Sequence, residues 1–249
     1  MVSNPEISQN GNDSIEQFAI MPLPNRDAKE PNEVYNLNEI LSFTQNEYDR
    51  FTLELSKKFM IATHEAILKW KEQNIYPEYV CEHLSILNSS KSNQQYKMLK
   101  CKQLAYMSYL IQLYRLNTAQ LRAKSPLNAF QIPESAVNKL FSLYTVVSSD
   151  NSQGKKVRSM PRRLKDKLTC HILIMALHID EFLTSMEGLQ KDLKLSIQKL
   201  TDFYQALGCH IKVSVITIDK KKIISKKASL SLPLNEIAKG EKKKRARKL

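Results

Sequence analysis

Apolar positions recur every three to four residues along most of the chain and switch to strict alternation near its end. In "VYNLNEILSFTQNEYDRFTLELSKKFM" they fall at Leu37, Ile40 and Leu41, then at Phe51, Leu55 and Phe59, which predicts short amphipathic helices. Thr63 is placed to cap a further helix in "HEAILKWKEQN", and Pro77 to open another in "PEYVCEHLSIL". After the polar break "NSSKSNQQ", Tyr96, Leu99, Met107, Leu110 and Tyr114 can share one face of a long helix from Tyr96 to Leu116, expected at the centre of a first domain. At this spacing Trp70 and the tyrosines read as packing rather than as a base-stacking platform. Residues 1–34 lack any hydrophobic period and read as a flexible arm.

"NTAQLRAKSPLNAFQIP" carries Pro126 and Pro133, so a domain boundary is expected near residue 128. A helix from Glu134 to Tyr144 precedes "SSDNSQGKKVRSMPRRLKDK", read as a polar loop that turns basic. Leu164, Leu168, Ile172, Met175 and Ile179 then form one helical face, with Arg162, Arg163 and Lys167 at its edge or in solvent. A short helix from about Ser185 to Leu193 follows, then a turn at Lys194 and Leu195. Ser196 can cap a second helix with core positions Ile197, Leu200, Tyr204 and Leu207, and Gly208 can close it. "CHIKVSVITI" alternates, "DKKK" reads as a turn and "IISKKASLSLPL" returns. Helix, turn, helix and hairpin in that order describe a winged helix.

Charge gives this second half a partner. The net +13 lies wholly in residues 132–249, whereas residues 1–131 carry 14 basic and 14 acidic side chains. A basic half suits a polyanion, because lysine and arginine on phosphates release counterions; an anionic membrane would attract it too. Lys155, Lys156, Arg158, Arg162, Arg163 and Lys165 precede or open the basic helix, and Lys220, Lys221, Lys222, Lys226 and Lys227 lie on the expected wing. On the second helix, Gln198, Lys199, Thr201, Asp202 and Gln205 are the non-core positions. They offer no arginine for a bidentate guanine contact, so sequence-independent binding through phosphates is expected. The tail "KGEKKKRARKL", residues 236–249 with its approach, reads as disordered and as a nuclear-localisation or nucleic-acid patch.

Other chemistries find no constellation. Cys81, Cys101, Cys170 and Cys209 have neither zinc nor redox spacing, and His83, His171 and His210 lack supporting ligand pairs, so no metal is expected. Five glycines form no phosphate-cradling loop, no serine or cysteine has a catalytic setting, and no cofactor or catalysis is expected. "HILIMALHI" is too short to span a bilayer and no secretory segment opens the chain, which reads as intracellular with reduced thiols and no membrane association.

The series "EPNEVYNLNEIL" (30–41), "LTCHILIMALHIDEF" (168–182), "GLQKDLKLSIQKLTDFYQALGC" (188–209) and "LSLPL" resembles the C-terminal half of the A forty-nine subunits of RNA polymerase I, called polymerase-associated factor fifty-three in animals. The resemblance implies a mainly α protein with small β-hairpins, a tandem winged helix similar to that of general transcription factor IIE. Its parts would be a linker over 35–62, a first winged helix over 63–128, a second over 129–235 and the tail. It also implies DNA binding near the polymerase cleft, support of initiation and elongation on ribosomal RNA genes, association with other polymerase I subunits, and a nucleolar address. Tyr35, Leu37, Ile40 and Leu41 match the family's polymerase-bound linker, with internal packing as their other reading. Family members begin with a β-rich heterodimerisation module; about thirty unpatterned residues stand before the linker here, so that module and the heterodimer are not expected. The alternative function is a protein-binding winged-helix scaffold of a nuclear transcription complex.

Overall fold

Side-chain caps set where the helices begin. The computed structural model describes residues 21–41, 43–123, 134–149, 156–218 and 221–235. Two short helices, α1 (Pro31–Val34) and α2 (Leu37–Leu41), lead into α3 (Gln45–Met60). Thr44 opens α3 with a reciprocal box: its Oγ1 accepts from the Glu47 N–H at 3.3 Å while the Glu47 carboxylate accepts from the Thr44 N–H at 2.9 Å. Thr63 caps α4 (His64–Glu72) as its position predicts, and Pro77 immediately precedes α5 (Glu78–Ser89). Asn93 and Asn117 cap α6 (Gln94–Arg115) and α7 (Thr118–Arg122).

Helix α6 is the axis of the core. From Cys101 to Ile111 it is buried at nearly every position, and α3 lies along it, the Tyr109 hydroxyl donating to the Phe51 carbonyl at 3.2 Å. Phe43 meets Phe51 and Tyr106 edge-on at 4.9 and 5.8 Å. The expected face is wrong at its first turns: Tyr96 and Leu99 are exposed, because α6 begins beyond the elements that cover its remainder. Tyr96 reaches instead to Glu181, its hydroxyl donating at 3.0 Å. Trp70 is half-buried against Tyr76, as expected of packing.

After α8 (Glu134–Tyr144), strands β1 (Val146–Ser149) and β2 (Lys156–Ser159) pair antiparallel, Val147 opposite Arg158. The expected polar loop is therefore partly a hairpin. Strands of four residues are too short and too polar to show a period, and pairing across the turn supplies what the pattern lacks.

Helix α9 (Arg162–Ile179) is buried all round from Leu168 to Leu177, more than the single face its spacing implied. Strand β3 (Leu183–Ser185), helices α10 (Glu187–Leu193) and α11 (Ile197–Ala206), and strands β4 (His210–Ile218) and β5 (Lys221–Ser229) follow. Ser196 caps α11, and Gly208 ends it at φ 77°, as predicted. Leu200, Tyr204 and Leu207 are buried, but so is Thr201, whose hydroxyl donates back to the Ile197 carbonyl at 2.7 Å and needs no solvent. The sheet order is β3-β5-β4, all antiparallel. Among the described residues of the expected first unit, 63–128, all regular structure is helical.

A buried carboxylate ties three helices together. Asp192, 1% exposed, accepts from the Glu78 and Tyr79 N–H groups at the start of α5, at 2.8 and 2.9 Å. Arg115, at the end of α6, donates to its Oδ1 at 2.5 Å and to its carbonyl at 3.0 Å. Lys100 similarly donates to the Ile179 carbonyl at 2.6 Å, satisfying the end of α9.

Candidate nucleic-acid interface

In the basic segment that runs from β2 into the first turns of α9, three cations lie against aromatic rings rather than carboxylates. The Arg158 guanidinium lies 4.3 Å from the Phe141 ring and donates to Thr145 Oγ1 at 3.2 Å. Lys165 Nζ lies 4.5 Å from the Tyr114 ring and Lys167 Nζ 6.0 Å from that of Tyr144. Ring faces attract these cations without neutralising them, so each keeps its charge and a restricted direction. Lys156, Arg162 and Arg163 are exposed. Both arginines stand in the first turn of α9, which holds no acidic residue. Positive side chains at the positive end of a helix dipole oppose it, and a bound anion would relieve both. Asp166 lies 3.9 Å from Arg162, a contact too exposed on the arginine side to hold it.

The second cluster is on the three-stranded sheet. Lys227 is exposed and Lys226 half-buried; the register places Lys212 opposite Lys227 and Val213 opposite Lys226. Lys221 and Lys222 start β5, opposite Ile218 and Thr217. Lys155 and Lys220 lie outside the described residues. Lys199, half-buried on α11 with its ammonium 5.8 Å from the Phe203 ring, stands apart from both clusters in sequence and element. Reading the residues singly missed Lys212, an exposed lysine made part of the cluster by cross-strand register, which the alternation of "CHIKVSVITI" already contains.

Several cations elsewhere are paired with carboxylates. Lys71 pairs with Glu78 and Glu82, Lys102 with Asp49, Lys139 with Glu47, Lys191 with Glu78 and Arg115 with Asp192. Among the described residues no carboxylate lies within 4.0 Å of Lys156, Arg158, Arg163, Lys165, Lys199, Lys212, Lys226 or Lys227.

The four residues expected to touch a polymerase turn inward. Tyr35, Ile40 and Leu41 are buried, and only Leu37 keeps part of its surface. Tyr35 donates from its hydroxyl to the Leu207 carbonyl at 3.0 Å, while its own carbonyl accepts from His178 Nε2 at 3.0 Å. Their spacing could not distinguish an internal from an external apolar face.

No cluster of metal-ligating side chains occurs among the described residues, and no described helix is long and apolar enough to cross a membrane. All four thiols are free and buried; burial pushes Cys81 and Cys101 up to about 11 and Cys170 and Cys209 up to about 12, which keeps them protonated and inert.

The family model described as A49-like RNA polymerase I associated factor matches residues 4–236. The chain is similar to the DNA-directed RNA polymerase I subunit RPA49 of Mus musculus, 28% identical over 225 residues, covering 90% of this chain and 44% of that protein. It is similar to the subunit of the same name in Homo sapiens, 29% identical over 226 residues, 90% of this chain and 51% of the relative. The Saccharomyces cerevisiae subunit is 25% identical over 197 residues, 78% of this chain and 45% of the relative. The chain thus spans about half the length of the curated relatives it matches.

Proposed function

The chain belongs to the family of A49-like RNA polymerase I associated factors, and from that premise we propose that it is a non-catalytic accessory subunit of the nuclear, nucleolar enzyme that transcribes ribosomal RNA genes. It holds DNA without reading sequence, and associates with other polymerase I subunits. The observation that carries this reading is the concentration of cations at 156–167 and on the sheet, where, among the described residues, the exposed Arg162–Asp166 contact at 3.9 Å is the one ion pair.

A repeat of element order supports the tandem winged helix. Long helix, short helix, helix and hairpin occur as α6, α7, α8 and β1–β2, and again as α9, α10, α11 and β4–β5, with β3 added in the second. This repeat favours a unit boundary at Pro161, between β2 and α9, over one near residue 128, and makes each unit's hairpin its wing. With Tyr35, Ile40 and Leu41 buried, polymerase contact by the N-terminal segment falls to Leu37 and the polar positions beside it.

Duplex binding titrated against salt tests the proposal. Six to eight phosphate contacts give a log–log slope of roughly −5 to −7. Charge reversal at Arg162, Arg163, Lys226 and Lys227 should weaken binding at least about tenfold and flatten the slope. Binding without a salt slope, indifferent to those reversals, would instead assign the basic faces to an acidic protein partner. Recovery of polymerase I subunits with the tagged chain tests the assembly.

A further inference from the structure

Both ring nitrogens of His83, on α5, face acceptors. Nδ1 lies 2.7 Å from the Tyr79 carbonyl and Nε2 lies 2.5 Å from Asp180 Oδ1 at the end of α9. A carbonyl and a carboxylate only accept, and a neutral imidazole has a single N–H, so both contacts are hydrogen bonds only when the ring is an imidazolium. His178 and His210 each meet one carbonyl, and His171 meets the Tyr144 hydroxyl, which can itself donate. The Tyr79 ring lies beside the His83 ring, centroids 4.0 Å apart, and favours the cation. The His83 side chain is 25% exposed, so its proton can exchange with solvent, whereas that of Asp180 is 11% exposed.

The carboxylate that meets His83 begins a strained corner. Asp180 ends α9, and Glu181 and Phe182 follow at φ 51° and 67°, two consecutive left-handed residues that are not glycine. Such a pair persists only where its surroundings hold it. Along the backbone the Phe182 N–H donates to the Leu177 carbonyl at 2.7 Å, the Leu183 N–H to that of Asp180 at 3.1 Å, and the Leu230 N–H to that of Phe182 at 3.0 Å. Side chains of α5 and α6 add His83 on Asp180, Lys100 on the Ile179 carbonyl and Tyr96 on Glu181. Strand β3 starts at the next residue and pairs with β5 as far as Lys227, so the corner sets one edge of the three-stranded sheet.

We propose that His83 is a protonation-controlled latch: as an imidazolium it pins Asp180 and the left-handed corner to α5, and on losing its proton it lets residues 180–185 open while the helical core stays folded. The neutral ring keeps one N–H and turns a lone pair on either the carbonyl or the carboxylate, so one contact changes from attraction to repulsion. The charged and titratable groups around the ring are Asp180 from α9 and Glu82 and Tyr79 from α5 itself, while Lys100 of α6 and Tyr204 of α11 lie near Asp180. Burial pulls the imidazolium down, but Asp180, the Tyr79 carbonyl and Glu82 together outweigh it and the net direction is up from 6.5. The latch is therefore closed below 6.5 and opens as pH rises through the raised value. It is separate from DNA binding.

The experiment uses the full chain and needs no ligand. NMR of the His83 ring, assigned by its absence in His83→Gln, should show both nitrogens protonated at about pH 6 and a titration midpoint above 6.5. Hydrogen exchange, corrected for its intrinsic pH dependence, should show the Phe182, Leu183 and Leu230 amides losing roughly ten- to a hundredfold protection as pH rises through that midpoint, the share of one charge-assisted hydrogen bond. The buried α6 amides from Cys101 to Ile111 should keep theirs. His83→Gln should hold the corner at its low protection at every pH, and Asp180→Asn should bring the His83 midpoint down. If His83→Gln fails to fold, exchange of the unmodified chain against pH decides alone. A midpoint below 6.5, corner protection flat with pH, or a parallel loss of protection in α6 overturns the latch.

Discussion

Replacing Asp192 with alanine should cost this fold more than any change on its surface. The carboxylate is 1% exposed and serves two backbone N–H donors at the start of α5 as well as Arg115. Its removal leaves the Glu78 and Tyr79 amides without an acceptor, and unsatisfied buried donors cost about 1 to 3 kcal/mol each. The ion pair adds less than a buried pair's full value, because the Arg115 side chain is 33% exposed and water compensates part of its loss. Together these give about 3 to 5 kcal/mol, the range expected when one partner of a buried pair is removed. For a chain of this size that is about 10 °C in Tm. Urea unfolding followed by circular dichroism measures it directly. Arg115→Ala, which leaves both amides satisfied, should lose only about 1 to 2 kcal/mol, and the double variant should lose less than the sum of the singles. A loss below about 1 kcal/mol for Asp192→Ala, or strict additivity, would refute the assignment of Asp192 as the tie among α5, α6 and α10.

Two histidines should shape stability in opposite pH windows. Burial pulls the His83 imidazolium down, but Asp180 at 2.5 Å outweighs it and the net direction is up, so its contribution is full below its unfolded value near 6.5 and is lost as pH rises through the folded value; His83→Gln should flatten that decline in Tm against pH. Burial pushes His171 down to about 4, so its contribution is present above 6.5 and lost as pH falls towards 4, about 3 kcal/mol in all. His171→Phe should reduce this acid sensitivity, and an unchanged acid limb in the melting profile would count against it. Gly208→Ala should cost about 1 to 2 kcal/mol in the same denaturation assay, since φ is 77° and the added Cβ would sit 3.3 Å from Leu234 Cβ; a neutral result would contradict the left-handed closure of α11.

Local chemistry was the legible part of this fold. Thr63, Ser196 and Gly208 act within a few residues of themselves, and each does what its position implied. Leu200 and Tyr204 followed from helical spacing for the same reason. Tyr96 and Leu99 did not, because whether an apolar helical face is covered depends on where distant elements stop. The β1–β2 hairpin escaped because its four-residue strands carry too few alternations to count. The cations of 155–167 were visible as a run, but a run does not say which cations have carboxylates. That Lys165 lies on Tyr114 and Arg158 on Phe141 is a property of packing between segments far apart in sequence.

Tyr35 is fastened at both of its polar groups by residues that follow it by 143 and 172 positions. During synthesis the segment around it emerges long before either partner and must wait, unclosed, for His178 and then Leu207. Loop closure over such separations is slow, and contacts of this kind lengthen folding times. The end of α11 is therefore completed by one of the first parts of the described chain to be made, so the N-terminal segment and the last helix should acquire protection from hydrogen exchange together, as the final event of folding rather than the first.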